Sequence, residues 1–143
     1  MDYDEIAYGS ADYNAACILR DVVMRMPINK RLSEEDTAGE ASQLHFIARD
    51  EQGIVVATVI FKPLSETHVK LRQMAVSETL HGKGVGKELV QFAEEAARTK
   101  GFKTIETNAR ITAQGFYEKL GYVTGGAIFE EVGLPTIRMN KEL

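Results

Sequence analysis

The sequence predicts an α/β domain of the α+β kind, in which helices flank a mixed, mostly antiparallel sheet with one bulged strand. A largely apolar run at residues 44–48 and a β-branched run at residues 54–61 flank a tight turn, which predicts an antiparallel hairpin. Between residues 69 and 107, a strand, a glycine-rich loop, a helix and a second strand follow in order. Such an order implies a parallel, right-handed crossover within one sheet.

The elements before the hairpin are predicted from short patterns. Ile6–Tyr8 predicts a short first strand, and Asp12 is expected to cap the helix that follows. Pro27 is expected to help end this helix. The polar stretch that runs to Gln43 predicts a loop or a short helix, with the acidic residues 33–36 forming a solvated face. The apolar face of the first helix consists of Ala16, Leu19, Val23 and Met26.

The strand at residues 69–76 has an irregular apolar pattern. Val69 and Leu71 alternate in one phase, whereas Met74 and Val76 alternate in the other. A pattern that slips by one residue indicates a β-bulge. Because a bulge leaves backbone groups unpaired, this strand is predicted to offer them to a ligand.

The second half of the chain predicts two helices and several strands. The first helix starts at Val85 and ends near Lys100-Gly101, and the second, shorter helix ends at Gly121. Their apolar faces consist of Leu89, Phe92, Ala93, Ala96 and Ala97, and of Ala113, Phe116, Tyr117 and Leu120. Strands are predicted at 102–107, 122–123, 127–131 and 136–140, with turns at 125–126 and 133–135.

Composition and charge exclude several classes of protein. At 143 residues, with 44% hydrophobic and 27% charged residues, the chain is predicted to form one globular domain spanning 1–143. No apolar run approaches the ~18 residues of a membrane helix, and residues 1–5 are acidic, unlike a signal peptide, so a cytoplasmic location is expected. A net charge of −4 argues against nucleic acid as a partner. The single cysteine, Cys17, excludes an internal disulfide, and no Cys/His cluster has zinc-ligand spacing.

Residues 80–90, Leu-His-Gly-Lys-Gly-Val-Gly-Lys-Glu-Leu-Val, predict a phosphate-binding loop. Gly82, Gly84 and Gly86 allow the backbone to turn sharply and to bring its N–H groups close to a ligand. Lys83 and Lys87 add positive charge beside them. A flexible turn before a surface helix is the alternative interpretation of this segment.

Two better-known phosphate loops do not fit this segment. The dinucleotide motif G-x-G-x-x-G requires glycine at 87 or 89, where the chain has Lys87 and Leu89. The NTPase loop requires glycine at 81 and Ser or Thr at 88, where the chain has His81 and Glu88. A nucleotide-phosphate binder of another class remains an alternative.

The bulged strand, the glycine loop, the helix and strand after it, and the segment Phe-Tyr-Glu-Lys-Leu-Gly-Tyr at 116–122 together resemble the GNAT superfamily of acyl-CoA-dependent N-acyltransferases. The resemblance extends over residues 69–123. Residues 128–135, Ile-Phe-Glu-Glu-Val-Gly-Leu-Pro, are similar to the ElaA-like branch of small members. The resemblance implies a GNAT-type sheet and the transfer of an acetyl group from acetyl-CoA to a primary amine, without a metal.

The resemblance also implies roles for particular residues. Tyr117 would protonate the departing coenzyme A thiolate, although packing against the core is the alternative role for this side chain. Asn108 would approach the pantetheine arm of coenzyme A. A free N–H near Ala75 or Val76 would stabilise the oxyanion. The strand segment that pairs with the pantetheine arm would be Met74, Ala75 and Val76. The loop that holds the pyrophosphate would be His81, Gly82, Lys83, Gly84, Val85, Gly86 and Lys87.

The chain departs from the family pattern at three positions. His81 stands where the family usually has Arg or Gln, Arg110 stands where many members have Asn, and Lys70 stands where some members have a glutamate base. The general base therefore stays open among Glu106, Glu130, Glu131, His45 and His68. The acceptor is a small-molecule amine or a protein amine, and the length of the acyl group and a homodimer are open. A non-catalytic acyl-CoA-binding or sensor module is the alternative function.

Overall fold

The computed structural model describes all residues from 1 to 143 and contains one seven-stranded sheet. The strands are β1 (Asp2–Ile6), β2 (Leu44–Arg49), β3 (Val55–Pro63), β4 (His68–Val76), β5 (Thr104–Arg110), β6 (Val123–Glu131) and β7 (Leu134–Glu142). The helices are α1 (Ala11–Arg20), α2 (Glu34–Thr37), α3 (Val85–Thr99) and α4 (Gln114–Lys119). The strand order is β1-β2-β3-β4-β5-β7-β6, and only β4 and β5 are parallel. The predicted fold class is therefore confirmed.

Helices cover both faces of the sheet because its central strands are apolar on both sides. Phe46 of β2 points into a core of 20 buried residues beneath α3 and α4. Its neighbour Ile47 points to the other face, where it packs with Ala16 of α1. The alternation of side chains along a strand explains why adjacent residues serve different layers. None of the helices is both long enough and apolar enough to cross a membrane.

The predicted bulge in β4 is confirmed. Thr58 of β3 lies opposite Ala75, but Ile60 lies opposite Arg72, so β4 contains one extra residue over this span. Gln73 takes up the extra length with a positive φ of 54°. The extra residue shifts the alternation of side chains along β4 by one position. All four apolar side chains before and after the bulge therefore contact the α3 core. These side chains are Val69, Leu71, Met74 and Val76.

The parallel strands β4 and β5 separate after a short paired segment. Their register runs from His68 opposite Thr104 to Leu71 opposite Thr107 and then stops. Strand β5 continues to Arg110, paired with β7 on its other side. The part of β4 after the bulge therefore has a free edge that faces a gap in the sheet.

Two local predictions in the first third of the chain are wrong. The first strand runs from residue 2 to residue 6 rather than from 6 to 8. Ser10 caps α1, since its Oγ accepts a hydrogen bond from Tyr13 N at 3.2 Å, whereas Asp12 forms an ion pair with Arg49 at 2.6 Å. The prediction for Pro27 holds, since the helical run of α1 and the π-helical turn after it ends at Arg25, and Pro27 lies in the single 3-10 turn that follows.

Of the two glycine turns predicted near the C-terminus, one is wrong and the other lies slightly earlier in the chain than predicted. Gly125 and Gly126 lie within β6, where the register with β7 shifts, so they form an irregularity in a strand rather than a turn. The β6–β7 turn consists of Val132 and Gly133, with φ values of 53° and 75°. Positive φ at both central residues is typical of a two-residue hairpin turn. Pro135 belongs to β7.

Candidate active site

A cavity of about 860 Å³ lies where β4 and β5 separate. Lys83 is exposed outside its lining, and the Val85 side chain is buried in the core. The other ten of the twelve predicted site residues line the cavity. They are Met74, Ala75, Val76, His81, Gly82, Gly84, Gly86, Lys87, Asn108 and Tyr117.

The three loop glycines are required for two different reasons. Gly82 and Gly84 have φ values of 78° and 82°, a backbone conformation that residues other than glycine rarely adopt. Gly86 instead lies in the first turn of α3 against β4. A Cβ on Gly86 would lie 3.2 Å from Met74 Cε and 3.3 Å from Val76 Cγ2, so glycine allows the helix to approach the bulged strand.

The loop presents a row of unpaired backbone donors. His81 N and Lys83 N donate to Glu78 O and Leu80 O, at 3.2 and 3.3 Å. The remaining amides of the loop and of the first turn of α3 have no acceptor in the protein. These are the N–H groups of Gly82, Gly84, Val85, Gly86 and Lys87. Since the helix dipole also makes this end positive, the segment fits a phosphate or diphosphate group.

Strand β4 directs a backbone amide into the gap. Ser77 N donates to Val56 O of β3 at 2.8 Å. Because N–H groups alternate sides along a strand, the amide of the preceding residue, Val76, points away from β3. The Val76 carbonyl also points away and accepts a hydrogen bond from His81 Nε2 at 2.9 Å. The unusual His81 therefore holds the loop against the strand, a role that the sequence did not reveal.

Tyr117 of α4 reaches the cavity from the α3 side of the sheet. Its side chain is 5% exposed and packs edge-on against Phe116 and Tyr122, with ring centroids 5.0 and 5.4 Å away. Burial raises the pKa of the Tyr117 phenol, and a hydrogen bond with Thr107 lowers this pKa by less. The phenol is therefore protonated over the physiological range, as a proton donor must be.

Of the five candidate bases, only Glu131 lines the cavity. Its Oε2 accepts a hydrogen bond from Asn108 Nδ2 at 3.0 Å. Asn108 Oδ1 is buried and has no hydrogen-bond partner. This pair thus offers a carboxylate and an unsatisfied amide oxygen to a molecule in the cavity.

The other four candidate bases lie elsewhere. His68 Nε2 and Glu106 Oε1 are 2.6 Å apart and contribute nothing to the cavity lining. His45 is buried, and its Nε2 forms a hydrogen bond with Glu40 O at 2.8 Å. Burial lowers the pKa of the His45 imidazole. Glu130 is exposed and does not line the cavity.

A buried ionic cluster behind the bulge was missed by the sequence analysis. Both Nη atoms of Arg20 donate to the Glu40 carboxylate at 2.8 Å, and Arg72 Nη1 donates to it at 2.6 Å. Arg20 Nε also donates to Oε1 of the bulge residue Gln73 at 3.0 Å. Burial raises the pKa of Glu40, but the hydrogen bonds from Arg20 and Arg72 outweigh this effect and lower it overall. The cluster therefore holds α1 against the bulge.

Charged residues line the wall of the cavity on the α1 side of the sheet. Arg25, which follows α1, forms an ion pair with Asp36 at 2.9 Å. Arg110 lies on this wall because its neighbour Ala109 points to the opposite face, into the α3 core. Burial lowers the pKa of Arg110, the charge of Arg25 lowers it further, and Glu131 opposes both effects.

Comparison with known proteins identifies similar sequences and folds. A family model described as "Acetyltransferase (GNAT) domain" matches residues 15–143. A candidate acetyltransferase of Bacillus subtilis (strain 168) is 30% identical over 116 residues, which are 81% of this chain and 77% of that protein. Escherichia coli ElaA has a TM-score of 0.84 at 23% identity, covering 99% of both chains. An aminoglycoside 6'-N-acetyltransferase complexed with coenzyme A has a TM-score of 0.81 at 19% identity, covering 99% of this chain and 97% of the other.

Proposed function

The chain belongs to the family of GNAT acetyltransferases, and from that premise we propose that residues 1–143, as one N-acetyltransferase domain, transfer the acetyl group of acetyl-CoA to a primary amine by direct attack. The five unpaired amides from Gly82 to Lys87 are the observation that supports this proposal most strongly. A neighbour with the same fold, an aminoglycoside 6'-N-acetyltransferase, was solved as a complex with coenzyme A.

The loop and the bulged strand bind the donor in this proposal. The unpaired amides donate hydrogen bonds to the diphosphate, and the ammonium of Lys87 lies beside them as a counter-charge. The free edge of β4 pairs with the amide-rich pantetheine arm as a further strand would. Acetyl-CoA supplies the acetyl thioester. The Val76 amide donates to the carbonyl oxygen and stabilises the negative charge that develops there.

Tyr117 and Glu131 are the proton donor and the proton acceptor of the reaction in this proposal. The amine nitrogen forms a bond with the carbonyl carbon as the carbon–sulfur bond breaks. The Tyr117 hydroxyl gives its proton to the departing sulfur. The second proton of the acceptor nitrogen is released to solvent as the amide forms, and Tyr117 regains a proton from solvent. Glu131 accepts the proton of the acceptor ammonium, directly or through a water, because it is the carboxylate among the candidate bases that lines the cavity. No step requires a metal.

An acetyl-CoA thiol-release assay against a diverse amine panel tests the proposal. We expect thiol release that depends on both the amine and the protein, with one acetylated amine formed for each thiol released. Calorimetry with coenzyme A accompanies the assay. Saturable binding of coenzyme A without turnover on any amine would indicate an acyl-CoA-binding module instead. Thermal stabilisation by ATP but not by coenzyme A would indicate a nucleotide-phosphate binder.

A further inference from the structure

Arg110 is a cation of the cavity wall that the protein leaves without a partner. Its side chain is half-buried and lines the cavity, yet it forms no ion pair and no hydrogen bond. The neighbouring guanidinium of Arg25 is paired with Asp36 at 2.9 Å, and that of Arg72 is paired with Glu40 at 2.6 Å. A partly buried guanidinium without a counter-ion is unfavourable. Arg110 is therefore available to an anionic group of a ligand.

The chemistry of arginine favours a planar, two-oxygen anion. A guanidinium donates two parallel hydrogen bonds to a carboxylate, and this arrangement is stronger and more specific than a single charged contact. Lys70 lines the same cavity and forms no ion pair, so it adds to the positive potential. A ligand carboxylate is accordingly the best match for this wall.

Asn108, two residues before Arg110 in β5, and Glu131 of β6 offer the opposite chemistry. Asn108 Oδ1 is buried without a donor, and its Nδ2 is engaged with Glu131 Oε2 at 3.0 Å. An amide oxygen only accepts hydrogen bonds, so it requires a donor such as an ammonium. Asn108 and Arg110 share one face of β5, and their positions are about 7 Å apart from the rise of an extended strand. The spacing brings an ammonium site and a carboxylate site within reach of one small molecule.

Resting on the function proposed above, we propose that the acetyl acceptor is a small zwitterionic amine of the amino-acid class. Its carboxylate binds Arg110, and its ammonium binds between Asn108 Oδ1 and the Glu131 carboxylate. The amine then loses its proton to Glu131 and attacks the thioester, while the carboxylate stays on Arg110.

Other amine classes match this wall less well. A polyamine would bring a second cation towards Arg110 and Lys70, and the resulting repulsion disfavours its binding. A protein lysine has no carboxylate of its own beside the amine. A carboxylate ligand without an ammonium would face Glu131, whose negative charge repels it. Only a molecule that carries both charges satisfies both sides of the wall.

Matched acceptors test the inference through steady-state kinetics. The panel contains the standard amino acids, their methyl esters, the corresponding decarboxylated amines and a polyamine. For the amino acid that reacts best, we expect kcat/KM to fall by about tenfold or more when the carboxylate is esterified or absent, as for other sites that lose a hydrogen-bonded substrate group. Arg110→Gln should reduce the acid-to-ester ratio to about twofold, and the KM for acetyl-CoA should change by less than about twofold. The control is Arg138→Gln, an exposed arginine outside the cavity lining, which should keep the wild-type ratio.

A binding measurement separates this inference from the proposed function. The amino acid and its ester are titrated into protein saturated with coenzyme A, which has no acetyl group to transfer. We expect the acid to bind about tenfold or more tightly than the ester in the wild type, but not in Arg110→Gln.

Three results would overturn the inference. In the first, amines are acetylated without regard to a carboxylate, which leaves the proposed function intact. In the second, Arg110→Gln raises the KM for acetyl-CoA and not that for the acceptor, which assigns Arg110 to the donor. In the third, no amino acid is bound or acetylated. Failure of coenzyme A itself to bind would instead overturn the proposed function.

Discussion

Neutralising Glu40 should destabilise the fold strongly. The Glu40 side chain is 0% exposed, and Arg20, Arg72 and Tyr13 all donate to its carboxylate. In Glu40→Gln, one carboxylate oxygen becomes an NH₂ group that faces these donors, and the buried Arg20 loses its counter-ion. Removal of one partner from a buried ion pair costs about 3–5 kcal/mol. Arg72 is 20% exposed and is partly relieved by solvent, so the lower end of this range, about 3 kcal/mol, applies.

Urea unfolding followed by circular dichroism measures this loss. We expect the unfolding free energy of Glu40→Gln to fall by about 3 kcal/mol with an unchanged denaturant slope, and the melting temperature to fall by about 10 °C. The control is Glu51→Gln, at an exposed turn residue without an ion pair, which should change the free energy by less than about 0.5 kcal/mol. A loss of less than about 1 kcal/mol in Glu40→Gln would show that the stability of the cluster does not depend on this buried charge.

Three further changes test the site and the electrostatics of the fold. Tyr117→Phe should lower kcat by about 100-fold or more, with little change in the KM for acetyl-CoA, because the substitution removes only the acidic proton. Unchanged turnover in steady-state assays would show that Tyr117 takes no part in the chemistry. Gly86→Ala should lower the unfolding free energy by about 1 kcal/mol and raise the KM for acetyl-CoA, because the added Cβ would lie 3.2 and 3.3 Å from the side chains of Met74 and Val76. Gly115→Ala is the control, since its Cβ would meet open space, and it should have neither effect. The pKa of buried His45 is lowered, so the unfolded state binds its proton first and stability should fall as pH drops below about 6.5. The hydrogen bond from Arg25 lowers the pKa of Asp36 to about 2, so a second loss of stability should occur as pH falls from about 4 towards this value. A flat stability profile from pH 7 to 5 in His45→Gln would assign the first loss to His45.

The parts of the fold predicted correctly are those encoded by local patterns. The hairpin of β2 and β3, the crossover through α3 and the bulge in β4 each follow from residues close together in the chain. The bulge is the clearest case, because Met74 and Val76 leave the phase of Val69 and Leu71, and the structure needs this slip to keep all four side chains on the α3 core.

The errors arise where several local signals compete. Ser10 and Asp12 both have side chains that cap helices, and the ion pair with Arg49 draws Asp12 away from the cap. Gly125 and Gly126 are typical turn residues, yet the register of β6 against β7 keeps them in a strand. Val132 adopts a positive φ that valine rarely takes, so no propensity indicates a turn there.

The features of the site that depend on tertiary structure could not be predicted. Glu40 lies 20 residues from Arg20, and no local spacing links the two. The position of charged Arg20 on the same helix face as apolar Ala16 was the one available signal for this cluster. Glu131 differs from the other candidate bases through its contact with Asn108, and this contact depends on the pairing of β5, β7 and β6. The cytoplasmic location stays a prediction.

Titration calorimetry that compares coenzyme A with pantetheine tests most directly whether the glycine loop binds a diphosphate. The unpaired amides from Gly82 to Lys87 are the proposed partners of the diphosphate, and pantetheine lacks this group together with the phosphoadenosine attached to it. Two or more charge-assisted hydrogen bonds, at about 1.5–3 kcal/mol each, predict that coenzyme A binds at least ~100-fold more tightly than pantetheine. Equal affinities for the two molecules, or no heat and no saturation at millimolar coenzyme A, would show that the loop does not bind the diphosphate.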